Sequence, residues 1–183
     1  MALQGKLSHP NRYITTHDAT GKAILDTSIP AEAPFYELPN KDAAFAQAYV
    51  TSGFPTTLAD DADIATYKDF LQSPPGLTVQ NGTVLRYVDF PPAKTCPMHR
   101  TVSLDYGVVL EGAVELILDS GETKVMNRGD VCVQRATMHA WRNTSETEYA
   151  RMLFVLQPCQ PFDTATGKTE EQLGVMEGVR SSS

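Results

Sequence analysis

Long apolar runs are missing from this sequence. No stretch nears the roughly 18 residues that a membrane-spanning helix needs, so no transmembrane segment is expected. The N-terminus does not pair a basic start with an apolar run, so no secretory leader is expected either. Basic clusters are absent too. Fifteen Lys and Arg face 22 Asp and Glu, and the formal net charge of −7 argues against nucleic acid or an anionic membrane as a partner. The three cysteines, Cys96, Cys132 and Cys159, are an odd number without C-x-x-C spacing. They read as small buried hydrophobes of a reducing compartment, and the chain is assigned to the cytosol. Cys96, close to His99, has a reactive thiol as its alternative. Histidine is scarce as well: four in 183 residues, so imidazole chemistry has few places to sit.

What remains is a soluble composition, 42% hydrophobic and 20% charged, of a length that suits one domain. Arg12 to Leu25 reads as two short strands around the Asp18–Gly21 turn, with His17 a turn residue. Asp26 to Pro39 reads as an extended arm of the kind that covers a neighbouring subunit's sheet edge, which makes a homodimer an expectation. Asp42 to Thr51 suits a strand or a short helix. Leu58 to Leu71 suits a helix whose Asp60, Asp61 and Asp63 favour its N-terminal dipole, ended by Ser73-Pro-Pro-Gly76. From Leu77 to Leu156 short alternating strands and turn signals predict an all-β sandwich or barrel. After Pro158 the chain turns polar, with a short helix expected over Glu170 to Met176 and frayed ends at Met1 to Pro10 and Arg180 to Ser183. The organisation is then an N-terminal arm with strands and a helix (1–76), a barrel core (77–158) and a C-terminal tail (159–183), one domain overall.

The informative stretch is Pro97 to Leu156. If Pro97 to Asp105 is extended, His99, Thr101, Ser103 and Asp105 share one face. Four polar groups on one face are poor core material and suit a cavity lining. A second histidine, His139, follows in Arg135-Ala136-Thr137-Met138-His139-Ala140-Trp141-Arg142-Asn143.

These two segments resemble the paired motifs of the cupins. The first motif, G-x5-H-x-H-x3-E-x6-G, reads here Ala93-x5-His99-x-Thr101-x3-Asp105-x6-Gly112, with its spacing intact. The second, G-x5-P-x-G-x2-H-x3-N, runs from Gly129 through Arg135 and Thr137 to His139 and Asn143, one residue short before the histidine. The resemblance covers roughly residues 80 to 158 and implies a jelly-roll-like β-barrel with short N- and C-terminal extensions. The wording around both histidines is similar to small cupins of fungal or microbial secondary metabolism, which implies a polyketide-type substrate.

Cupins commonly hold one divalent metal on the motif residues, which here are His99, Thr101, Asp105 and His139. A threonine hydroxyl is a poor replacement for imidazole, so no metal is favoured. If one is bound, His99, Asp105 and His139 would hold iron or zinc. The favoured reading uses the same atoms without a metal. His99 and His139 act as general base and acid, and Asp105 orients one of them or carries the proton itself. Thr101 and Ser103 bind substrate, Trp141 forms a pocket wall or packs, and Arg86 or Arg135 meets a substrate carboxylate or lies on the surface. Each residue also has a structural alternative: the histidines in the core, Asp105 capping a turn, Asn143 holding one. The expected chemistry is a lyase or isomerase reaction on a small molecule, such as decarboxylation, dehydration or cyclisation. A metal-dependent dioxygenase and a non-catalytic small-molecule binder are the alternatives.

Overall fold

Runs such as Val84-Leu-Arg-Tyr-Val-Asp-Phe90 put every second side chain on one face, and strands dominate the computed structural model, which describes residues 7–182. In chain order the elements are β1 (Thr15–His17), β2 (Ala23–Leu25), β3 (Tyr36–Glu37), β4 (Ala44–Val50), α1 (Ala62–Gln72) and β5 (Val84–Phe90). Then come β6 (Ser103–Glu111), β7 (Ala113–Leu118), β8 (Thr123–Asn127), β9 (Val131–Arg135), β10 (His139–Asn143), β11 (Ala150–Pro158), β12 (Asp163–Thr164) and β13 (Gly167–Lys168). A six-stranded sheet, β3-β4-β5-β11-β6-β9, faces a three-stranded sheet, β10-β7-β8. Their pairings are antiparallel throughout. This is the jelly-roll architecture, with two facing sheets rather than one closed ring of hydrogen bonds.

The chain passes from the large sheet to the small one at Gly112. Its φ of +75° is a conformation that favours glycine, and an added Cβ would sit 3.1 Å from that of Ala150. Between the sheets Val88, Phe90, Val109, Val114, Met126, Trp141, Met152 and Phe154 form a continuous apolar core. Gly107 keeps that core closed at one point, because a Cβ there would meet the Phe154 ring at 2.8 Å.

The N-terminal third is built into the fold. β4 is a strand and not a helix, lies beside β5, and takes β3 on its outer side, so the Asp26–Pro39 arm covers an edge of its own sheet. The helix forms as expected, with Asp63 in its first turn, and two of the acids also make contacts. Asp61 accepts from Thr16 Oγ1 at 2.6 Å and Asp63 from Tyr49 Oη at 2.6 Å, tying α1 to β1 and β4.

The tail corrects two expectations. No helix forms over Glu170 to Met176. Seven residues cannot repay helix nucleation alone, Gly174 takes φ +60°, and Gln172 instead pairs with Arg100 through two backbone bonds of 2.7 and 2.9 Å. Nor is the C-terminal end frayed across its described residues. Arg180 Nη1 donates to Ser73 Oγ at 2.9 Å, and Ser182 Oγ bonds Glu171 and accepts from the Thr78 amide. The loose start expected over Met1 to Pro10 does not hold at its described end, where the Ser8 carbonyl accepts from Arg151 Nη1 at 2.7 Å and the Pro10 carbonyl from the Ala33 amide at 3.0 Å; residues 1–6 and Ser183 lie outside the described residues. No helix among the described residues is long and apolar enough to cross a membrane.

Candidate active site

Pro97 lacks the donor that a regular ladder needs, and the chain from Thr95 to Arg100 pairs through isolated bridges rather than a continuous strand. One bridge joins His99 to His139, each amide donating to the other's carbonyl at 2.9 Å. Residues directly opposite in an antiparallel pair point the same way, so the two imidazoles meet. Their ring centroids are 4.2 Å apart. Trp141, two residues along β10, sets its indole edge-on to His139 at 5.5 Å and touches Phe154 at 5.7 Å.

This row of rings forms one wall of a cavity enclosing about 580 Å³ of empty space, counting the part open to solvent. Its apolar lining includes Phe45, Val88, Phe90 and Leu156, and its polar lining is Asp42, Arg86, Thr101, Asp105 and the two histidines. His99, Thr101 and Asp105 alternate along one face as the sequence indicates, while Val102 and Leu104 turn away. Ser103 shares their burial but does not line this cavity. Among the described residues its hydroxyl makes no hydrogen bond of full geometry, yet it lies close enough to Asp105 to favour that carboxyl's ionised form.

Arg86 corrects the surface reading. On β5 it stands between Val84 and Val88, the face directed at the core, and it is 1% exposed. Its Nε donates to Gln47 Oε1 at 3.2 Å and its Nη2 to the Gly76 carbonyl at 2.8 Å. Arg135 takes the surface position on β9.

Burial sets the proton affinities. It pushes Asp105 from 3.8 up to about 7, against the smaller opposing influences of the Ser103 hydroxyl and the Arg86 charge. Burial, with His99 adjacent, pulls His139 from 6.5 down to about 3. His99 is lowered by the same desolvation. Cys96, also in the wall, is held as a thiol by burial, its pKa raised to about 12, so the reactive-thiol alternative has no thiolate to work with.

Hydrogen bonds distinguish the two rings. His99 Nδ1 lies 2.9 Å from the Pro97 carbonyl, which can only accept, so the ring hydrogen sits there and Nε2 keeps its lone pair. His139 Nδ1 meets two competing neighbours: the Thr137 carbonyl at 2.9 Å and the Gln134 amide nitrogen at 2.6 Å. A neutral imidazole serves one at a time. A hydrogen on Nδ1 serves Thr137, whereas a hydrogen on Nε2 leaves Nδ1 free to accept from the Gln134 amide and makes Nε2 a donor.

Gln134 went unremarked as a site residue in the sequence reading, as did Asp42, Phe45 and Met176. A signal existed for Gln134 alone: it is the inward residue of β9, opposite Asp105. Met176 reaches the cavity from the tail, where no periodicity marks it.

The donor set does not suit a metal. Thr101 occupies the place of the third imidazole. Among the described residues no three His, Cys, Asp or Glu side chains gather closely enough to hold an ion, so His99, Asp105 and His139 do not assemble as ligands.

The cupin-domain family profile matches residues 86–156, the strands that carry this cavity. Phomopsin biosynthesis cluster protein C' of Diaporthe leptostromiformis is 48% identical over 158 residues, 86% of this chain and 83% of that protein. Oryzines biosynthesis cluster protein J of Aspergillus oryzae is 42% identical over 164 residues, covering 90% and 91%. The cupin-domain-containing oxidoreductase fogC of Aspergillus ruber is 41% identical over 173 residues, covering 93% and 83%. Among solved structures, the polyketide cyclase RemF from Streptomyces resistomycificus superimposes with a TM-score of 0.49 at 16% identity, covering 81% of this chain and 84% of that one. With such identity over nearly the full length of both chains, and the family profile lying over the cavity strands, the chain belongs to the cupin-domain family.

Proposed function

We propose that the cavity is the active site of a secondary-metabolic enzyme that moves protons on a small, largely apolar molecule, by lyase or isomerase chemistry. Decarboxylation, dehydration or cyclisation of a polyketide-like compound fits. The observation that carries this reading is the pair of neutral imidazoles 4.2 Å apart in a wall that also holds a protonatable carboxyl. His99 Nε2, with its lone pair free, takes a proton from the substrate. Asp105, poised at about 7, returns one to the departing or developing oxygen. His139 stays neutral and donates a hydrogen bond from Nε2 to the charge that builds up, Gln134 holding the tautomer. Thr101 and Trp141 position the substrate. The names of the phomopsin and oryzines relatives support a biosynthetic setting.

We take the enzyme to be a cytosolic homodimer. Its unpaired cysteines support the compartment, and the exposed Tyr106, Val131 and Val133 on the outer sheet face support an interface.

A second reading is redox chemistry at the same cavity, favoured by the oxidoreductase names of four relatives. One experiment separates the two. The full chain and its His99→Gln variant are expressed with the pathway, products are compared, and the purified protein is assayed for metal. Loss of product in the variant, with wild-type turnover surviving chelation, is expected. A stoichiometric transition metal whose removal stops turnover would overturn the acid–base reading.

A further inference from the structure

Three buried polar atoms in the cavity-lining residues have no hydrogen-bond partner among the described residues: Arg86 Nη1, Asp105 Oδ1 and Asp42 Oδ1. Arg86 is the most costly of them. Gln47 and Gly76 fix two of its guanidinium nitrogens, and its Cζ lies 4.8 Å from the centre of the Phe45 ring. The ion pairs among the described residues use His9, Arg142 and Arg151, and none uses Arg86. A permanently charged group is thus held rigid in an apolar wall with one face unpaired. An isolated buried cation is costly, and a fold retains one where something else completes it.

We propose that Arg86 anchors a carboxylate on the cavity's ligand, so that the substrate class is a small organic acid with an apolar body. This rests on reading the cavity as the active site. One carboxylate oxygen accepts from Nη1. Asp105 stands across β11, since Arg86 pairs in register with Phe154 and Asp105 with Leu156. In its neutral form it donates to the ligand rather than repelling it. Phe45, Phe90, Trp141 and Phe154 cover the apolar body.

Trp141 is the chain's one tryptophan and lines the cavity, so its fluorescence reports binding directly. The probes are cyclohexanecarboxylate and cyclohexanecarboxamide, equal in shape and transparent where indole absorbs. The full-length protein is expected to bind the carboxylate about tenfold or more tightly than the amide. Arg86→Met should abolish that preference while keeping amide binding, and Arg86→Lys should keep part of it. Melting temperatures of both variants check the fold. Equal affinity of the wild type for the two probes, or a preference that survives in a folded Arg86→Met variant, would overturn the proposal. Binding is read without turnover. Undiminished turnover in His99→Gln would sink the acid–base reading and leave this result standing, and a lost carboxylate preference would leave the histidine roles untouched.

Discussion

Two arginines sit buried on neighbouring strands of the same sheet and are treated in opposite ways. Arg151 on β11 faces outward beneath the N-terminal segment, where Nε and Nη2 meet both oxygens of Asp89 at 2.6 and 2.7 Å. Its Nη1 donates to the Ser8 carbonyl, and its guanidinium lies 5.0 Å over the Phe35 ring. Arg86 on β5 faces inward, fixed but in no ion pair among the described residues. Every polar contact of Arg151 is made within the chain, as in a group kept for structure. Arg86, Asp105 and Asp42 each leave one atom open, and all three lie in the wall of one cavity. A protein that can satisfy one buried arginine so fully has no general difficulty doing so. The difference marks where a ligand belongs.

That contrast can be broken by removing either carboxylate. Asp89→Ala leaves the Arg151 charge buried and unpaired, and should cost about 3–5 kcal/mol of stability by chemical denaturation. Turnover per folded molecule should stay near wild type, because the pair faces away from the cavity. His99→Gln should do the reverse. Stability should move by about 1 kcal/mol or less, and the rate should drop by about 10²–10⁴-fold, the usual contribution of a positioned base.

Asp105→Asn separates the two kinds of site through pH. The folded pKa of about 7 lies above the unfolded value of 3.8, so the folded state binds the proton more tightly. The cost to the fold is absent below about pH 4, grows as pH rises, and is complete above about pH 7. The gap corresponds to roughly 4 kcal/mol at most. The variant should therefore melt higher than wild type at pH 8 and equally at pH 3.5, while losing turnover. A melting difference independent of pH would place Asp105 in an ordinary hydrogen-bonded state. Arg86→Met should have the smallest effect, within about 1 kcal/mol, because the desolvation of an unpaired cation offsets the lost bonds to Gln47 and Gly76.

The sequence carried much of the fold because its signals are local. Alternation in Val84 to Phe90 and Ala150 to Leu156, the turn at Asp119 to Glu122, and the prolines after α1 each act within a few residues. The face shared by His99, Thr101 and Asp105 follows from period two alone, and the partnership with His139 from motif spacing. The tail departs from expectation because its structure comes from partners distant in the chain. Gln172 pairs with Arg100, Ser182 bonds the Thr78 amide, and Met176 reaches the cavity, none of which leaves a periodic mark. The burial of Arg86 was hidden for the opposite reason. A charged residue at an inward position looks like an exception to the pattern, and only the pairing of β4, β5 and β11 decides that it points inward.

The most direct test of the account is an NMR titration of the free protein that follows the Asp105 carboxyl carbon and the His139 ring nitrogens. An Asp105 midpoint near 7 and a His139 ring still neutral at pH 5 are expected. Midpoints near 4 for Asp105 and 6.5 for His139 would mean that both groups sit in water-like surroundings, and would contradict a desolvated acid–base site.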